Sequence, residues 1–170
     1  MILQEKELVL RAIEMEDWEI LKQLINSPEI EETVVGWSKP ISTYQQQQWI
    51  SHLPEDKSIR YMIQYELETV GTASISLIDH KNAVANLNIK LLSNKQRLGI
   101  GTKVIRLMSH YCFEELNIQC ITASILEKNI GSRKLFEKCG FIQEGILRRR
   151  VYKQGEYQNL VVYSLLRNEQ

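Results

Sequence analysis

The sequence predicts an α+β fold, a mixed central β-sheet flanked by helices in the order βααβββαβαββ, with all 170 residues in one domain. Three observations predict it. Apolar and polar residues alternate with period two between 59 and 91. Helical spacing of apolar residues recurs over 17–26 and 102–116, and strand-like runs return after each later helix. The length, 170 residues, lies near the roughly 150 of a single domain. A chain of this size buries roughly 70% of its unfolded surface and needs no disulfide or metal to hold a core.

The elements follow in order. Residues 8–13 form a short strand, and 17–26 a helix with Ile20, Leu21, Leu24 and Ile25 on one face, stopped at Ser27-Pro28. The stretch 29–40 is irregular, and Ser42 with Gln45 three residues on makes a capping box for a helix over 43–53. Gln45 to Gln48 read as that helix's surface, not as a low-complexity tract. Ile59, Tyr61, Ile63 and Tyr65 alternate with polar partners in one strand, 70–78 forms a second and 83–91 a third, an antiparallel meander. A glycine loop at 96–101 leads into a helix over 102–116, followed by a strand at 119–126. Asn129 caps a helix ended by Gly140, and strands over 141–152 and 157–166 meet near Gln154-Gly155.

Charge and composition exclude several function classes. Lys plus Arg number 21 and Asp plus Glu 21, so no global field recruits nucleic acid or an acidic membrane. Cys112, Cys120 and Cys139 sit in apolar surroundings without a Cys-x-x-Cys pair, as buried thiols of a reduced cytosol do, and no metal constellation is visible. The N-terminus lacks a continuous apolar h-region and no window reaches the roughly 18 apolar residues of a membrane span. A cytoplasmic protein is expected.

Gly99 and Gly101 remove side chains where a strand passes into a helix, letting backbone N–H groups converge on one point at a helix N-terminus. Such a point suits a pyrophosphate. The alternative reading is a tight strand-to-helix turn. No third glycine makes a Rossmann fingerprint and no Gly-Lys-Ser/Thr makes a Walker loop, so nucleotide hydrolysis is disfavoured.

Gln96-x-x-Gly99-x-Gly101-Thr102 after an alternating strand, followed about thirty residues on by the run from Asn129 to Phe141, resembles the acyl-CoA signature of the GNAT N-acetyltransferase superfamily. The ending from Glu144-Gly145 to Tyr163-Ser164-Leu165 resembles the branch holding ribosomal-protein alanine, spermidine and pseudaminic-pathway amino-sugar acetyltransferases. The resemblance implies a GNAT-like single domain that uses acetyl-CoA as co-substrate and no metal. It implies that the backbone of Arg97, Leu98, Gly99, Ile100, Gly101 and Thr102, with Gln96, holds the CoA pyrophosphate. It further implies that Lys90, Leu91 and Leu92 pair with the pantetheine arm like an added strand, and that an amide near Ile89 or Lys90 polarises the acetyl carbonyl. Asn129 binds pantetheine or caps its helix, and Phe136 is a pantetheine-side or core contact.

The sequence departs from the family at two catalytic positions. Phe136 stands where many members carry the tyrosine proposed to protonate the departing thiolate, so Ser132, one turn earlier, is the candidate acid, or else a small residue that lets CoA approach. Asn86 stands where some carry a glutamate, which leaves the general base unknown among Glu29, Glu31, Glu32, Asp79, His80 and water-linked tyrosines. His52 and His110 read as helix-surface residues. Arg148, Arg149 and Arg150 suit either an anionic contact or a solvated sheet face. Trp37, Tyr44 and Trp49 are candidates for the acceptor side, and Trp49 serves equally as packing.

The expected activity is direct acetyl transfer, without an acyl-enzyme, to a primary amine of a small molecule. Lys39 stands where spermidine enzymes tend to carry acidic residues and should repel a polycation. Residues 41–53 and 58–61 resemble the pseudaminic-pathway amino-sugar enzymes, which implies a nucleotide-linked amino sugar as acceptor, its diphosphate met by Lys39 or by the run Arg148 to Arg150, with Trp37 on the acceptor side. A protein N-terminal amine or a polyamine is the alternative, and a non-enzymatic acetyl-CoA-binding module the alternative of another class. A homodimer is admissible, since dimers occur in the resembling family.

Overall fold

The computed structural model describes residues 2–36, 39–55 and 57–170. Its elements are β1 (Leu3–Glu5), β2 (Leu8–Arg11), α1 (Trp18–Asn26), α2 (Pro28–Glu31), α3 (Thr43–Ser51), β3 (Ile59–Tyr65), β4 (Glu68–Asp79), β5 (Val84–Leu91), α4 (Ile100–Glu114), β6 (Cys120–Leu126), α5 (Ile130–Lys138), β7 (Ile142–Lys153) and β8 (Glu156–Leu166). The strands form one sheet in the order β1-β2-β3-β4-β5-β6-β8-β7. Every neighbouring pair is antiparallel except β5 and β6, so the sheet is mixed, as the α+β order predicts.

Two elements leave no periodic trace in the sequence. β1 is three residues long, too short to show a period, and turns back through Lys6 at φ +51°. Ser27-Pro28 ends α1 and also starts α2, because the Ser27 hydroxyl accepts from Ile30 N–H and Pro28 occupies the first helical position, where its absent N–H costs nothing. The expected capping box at Ser42 and Gln45 forms reciprocally.

The main core lies between one face of the sheet and α4, where Ala85, Leu87 and Ile121 meet Val104, Ile105, Met108 and Phe113. α5 joins it through Phe136. On the opposite face a smaller cluster seats Leu21 and Ile50, from α1 and α3, on Met62 of β3. That second cover stops short of β5 and β6, leaving Asn88 and Ser124 exposed. Cys112 is fully buried, and burial pushes its thiol up to about 12. Cys120 and Cys139 are partly buried, and all three are unpaired.

Two local constraints hold this frame. Arg11 grips Asp17 with both guanidinium nitrogens at 2.7 Å, while Asp17 also accepts Glu14 N–H at 2.8 Å, tying β2 to the start of α1. Gly71 of β4 lies opposite Leu91, where an added Cβ would come 2.1 Å from the Lys90 carbonyl oxygen. No side chain fits there without moving β5.

Gly71→Ala is therefore expected to cost about 1–3 kcal/mol in urea unfolding, as overpacking against an immovable backbone does. Burial pushes the Asp17 carboxyl up, but the Arg11 fork and the Glu14 N–H outweigh it and hold the group below its ordinary value. A carboxylate lowered in the fold stabilises it above the unfolded pKa and loses that contribution as pH falls through the folded one. Asp17→Asn should cost about 1–3 kcal/mol at neutral pH, and the gap from wild type should close in unfolding curves taken as the pH falls through the lowered pKa of Asp17.

Candidate active site

β5 and β6 run side by side for three residue pairs, Val84↔Cys120, Ala85↔Ile121 and Asn86↔Thr122, and then part. Each stays with its own antiparallel neighbour, β5 with β4 as far as Leu91 and β6 with β8 as far as Leu126. At the fork the Asn86 amide donates to the Thr122 hydroxyl at 3.1 Å, and that hydroxyl donates to the Ala85 carbonyl at 3.2 Å. The gap beyond is a cleft of about 100 Å³ lined by Leu87, Ile89, Ala123 and Ile125, by Ser132 and Phe136 of α5, and by Thr33, Val34 and Val35 before α3.

Hydrogen-bond parity decides which β5 backbone groups face the gap. Leu92 N–H donates to Val70 O at 2.9 Å, so Leu92 and its alternate Lys90 turn their backbone toward β4. Ala83 O, which accepts Gln119 N–H at 2.7 Å, has the parity of Ile89 and Leu91, which therefore face the gap. Of Lys90, Leu91 and Leu92, expected to pair with the pantetheine arm, Leu91 alone turns its backbone to the gap, as Ile89 also does, while Lys90 and Leu92 turn theirs to β4. Of the two amides expected near the acetyl carbonyl, Ile89 has the required direction.

The loop from Gln96 to Thr102 bends through two left-handed residues, Arg97 at φ +62° and Gly99 at φ +79°. The helix begins at Ile100, two residues before the expected Thr102, so Ile100, Gly101 and Thr102 are its first turn, whose N–H groups have no intrahelical acceptor. Gly99 is the N-cap and supplies no side-chain bond, and nothing lies within 4 Å of a Cβ built on it. Gly101 serves packing instead, because its Cβ would come 3.1 Å from Leu135 and 3.7 Å from Leu91, so that its absence lets α4, α5 and β5 meet. Gln96 Nε2 donates to the Leu91 carbonyl at 3.2 Å, fastening the loop to the end of β5, while Leu98 is exposed.

At α5, Asn129 Oδ1 accepts Ser132 N–H at 3.0 Å and Asn129 Nδ2 donates to Thr33 O at 2.9 Å. The capping role holds, and the amide also ties the segment before α3 over the cleft. Ser132 lines the cleft one turn above Phe136, whose ring packs edge-on against Phe141 at 4.9 Å. A network not legible as a motif orients the helix: Arg133 Nε donates to the Tyr163 hydroxyl at 3.0 Å, which donates to Glu137 Oε1 at 2.8 Å. Its sequence signal is a tyrosine after the apolar run Leu160-Val161-Val162.

On the acceptor side, Trp37 lies outside the described residues, Tyr44 is exposed, and Lys39 is exposed and does not line the cleft. None of the expected base candidates lines it either. Glu31 takes Lys153 Nζ at 2.6 Å, and Asp79 accepts Lys81 and Asn82 N–H groups at 3.0 Å in a surface turn. Trp49 lies beneath the Arg60 guanidinium at 5.4 Å. Arg148, Arg149 and Arg150 are exposed at a bulge in β7, with Arg149 at φ +51°. The charged group that does line the cleft is Lys90, whose ammonium burial, Arg60 and Lys153 together push below the ordinary lysine range. Among the described residues no cluster of His, Cys, Asp or Glu could hold a metal, and no helix is long and apolar enough to cross a membrane.

Residues 7–142 match the family model of the acetyltransferase (GNAT) domain. The chain is 31% identical to the probable N-acetyltransferase YjcK of Bacillus subtilis, covering 79% of this chain and 73% of that one. It is 28% identical to the putative ribosomal N-acetyltransferase YdaF of the same organism, covering 95% and 92%. Its fold superposes on the crystal structure of spermidine N-acetyltransferase from Vibrio cholerae in complex with CoA and spermine with a TM-score of 0.86, at 23% identity over 97% of this chain and 98% of that one.

Gly99→Trp fills the space in front of the first-turn N–H groups and meets no protein atom within 4 Å of its Cβ. Calorimetric titration is expected to show CoA affinity lowered by about tenfold or more in a variant whose circular dichroism is unchanged.

Proposed function

The chain belongs to the GNAT acetyltransferase family and moves an acetyl group from acetyl-CoA to an amine; on that premise we propose a protein N-terminal amine as its acceptor. The observation that carries this reading is the lining of the cleft. Its acceptor side offers the amide of Asn88, the hydroxyl of Ser124 and the ammonium of Lys90, and no carboxylate among the described residues. A polyamine would bring two or more positive charges to a surface that supplies one of its own. A peptide needs hydrogen-bonding partners for its backbone, which amides and hydroxyls provide. The expected nucleotide-linked amino sugar has less support, since relatives whose names give an acceptor are a putative ribosomal and spermidine N-acetyltransferases. So does the binding-only alternative, which the family's enzymes do not support.

The residues divide the work as follows. The N–H groups of Ile100, Gly101 and Thr102 hold the pyrophosphate of the donor at the N-terminus of α4. Ile89 and Leu91 align the pantetheine arm along β5, and the Ile89 N–H polarises the thioester carbonyl. A peptide N-terminal ammonium, with a pKa of about 8, must lose a proton before it attacks. With Asn86 in the sheet ladder and Glu31 on Lys153, water in the open mouth of the cleft takes that proton. The amine nitrogen then bonds to the carbonyl carbon as the carbon–sulfur bond breaks. The Ser132 hydroxyl gives its proton to the leaving sulfur and regains one from solvent.

Ser132→Ala is expected to lower kcat by about 10²-fold with little change in CoA affinity, measured by steady-state kinetics on an N-terminal peptide. The acceptor itself is tested by comparing that peptide with spermidine and a nucleotide-linked amino sugar. Preferential turnover of spermidine or of the sugar overturns the peptide reading.

A further inference from the structure

Lys90 sits on β5 in register with Thr72 of β4, which pairs in turn with Met62 of β3, so its side chain rises from the sheet face opposite α4. There it lines the cleft beside Asn88 and Ser124, under Val34 and Val35. It is partly buried, and among the described residues its ammonium has no hydrogen-bond or ion-pair partner. The charges that act on it, Arg60 and Lys153, are both positive. Lys153, 2% exposed, is already neutralised by Glu31, from whose carboxylate and backbone oxygens its Nζ lies 2.6 and 2.5 Å. The Arg60 guanidinium lies over Trp49.

A lysine needed only to cover apolar surface carries its ammonium out to water. Lys90 instead presents it to the mouth of a cleft, among cations, with the nearby carboxylate committed elsewhere. An ammonium withdrawn from water without a counter-ion is costly unless a partner completes it.

We propose that Lys90 is a specificity-determining residue that pairs with an anionic group of the acceptor, a carboxylate or a phosphate, held close to the amine that is acetylated. The inference rests on the N-terminal amine reading for the source of that anion, an acidic side chain near the start of the peptide; a sugar phosphate offers the same chemistry. The pair forms where Lys90 is partly buried, so the interaction is worth more than at a fully exposed surface. The same ammonium would disfavour polycations, because a second positive charge near the first would meet Lys90 head-on.

The test compares acceptors that differ in one charge: a short N-terminal peptide with aspartate against the same peptide with asparagine, an amino-sugar phosphate against the neutral amino sugar, and spermidine. Each is assayed with wild type, Lys90→Met and Lys90→Arg. The expected result is a kcat/KM ratio, acidic over neutral, of about tenfold or more in wild type, falling toward one in Lys90→Met and largely kept in Lys90→Arg. A ratio that Lys90→Met leaves intact overturns the assignment. Equal loss of both twins in both variants, with folding retained, also overturns it and makes Lys90 a proton acceptor. Spermidine used in preference to every anionic acceptor overturns it together with the peptide reading. Charge preference on the sugar pair without peptide turnover sinks the peptide reading and upholds Lys90, whereas peptide turnover with no charge preference does the reverse. If no anionic acceptor is used better than its neutral twin, the assignment falls.

Discussion

The parting of β5 from β6 is the constraint on which the rest of the structure depends. Parallel strands that separate after three pairs leave two edges of backbone facing each other across a gap instead of bonded to each other. Left buried and empty, each such N–H or C=O would cost about 1–3 kcal/mol. The fold tolerates the gap because each strand keeps a full antiparallel neighbour on its other side. The gap is therefore a breach through the sheet, open from the α4 side to the face that α1 and α3 leave uncovered. On the proposed function, a donor laid in from one side and an acceptor from the other would meet in the plane of the sheet at Ile89.

A breach holds its width only if its walls are rigid, and three contacts supply that rigidity. Gly71 lets β4 approach the Lys90 carbonyl closely and pins the β5 wall. Gly101 lets the first turn of α4 rest against Leu135 and Leu91, joining the N-terminus of that helix to α5 and β5. The Arg133–Tyr163–Glu137 network pins α5 to β8, with burial the largest influence on the Tyr163 hydroxyl and raising its pKa. Of the two glycines in the loop, Gly99 alone needs the left-handed backbone, and Gly101 is there for packing. These different requirements make the two positions unequal under substitution.

What was legible in the sequence followed from short-range rules. Alternation located β3, β4 and β5, the Ser42–Gln45 box marked the start of α3, and the glycines identified the loop before α4. Parity across a ladder is a long-range property: nothing in the run Ile89-Lys90-Leu91-Leu92 says which residues bond to β4 until Leu92 is seen on Val70. The cleft's charge was hidden for the same reason. Lys90, Arg60 and Lys153 are far apart in the chain and come together only when the β7–β8 hairpin reaches α2. Lys39, the cation near the expected acceptor tryptophan in the sequence, is exposed and does not line the cleft.

A chain with 21 acidic and 21 basic side chains has no long-range field to gather a charged acceptor, so selection must occur within the cleft. Protonation and binding are then linked at Lys90. Burial and two cationic neighbours favour its neutral form in the empty cleft, and an incoming carboxylate favours the charged form. The acceptor thus raises a pKa that the fold has lowered, and above the empty cleft's value its binding is accompanied by proton uptake. As the pH climbs past that value, the anion must supply the cost of protonation from its own binding energy, and the advantage of a charged acceptor over its neutral twin shrinks. The amine to be acetylated changes in the opposite sense, becoming more reactive as it loses its proton. The pH at which an anionic acceptor turns over fastest is therefore set by two amines pulling against each other, the α-amine of the substrate and the ammonium of Lys90 on β5.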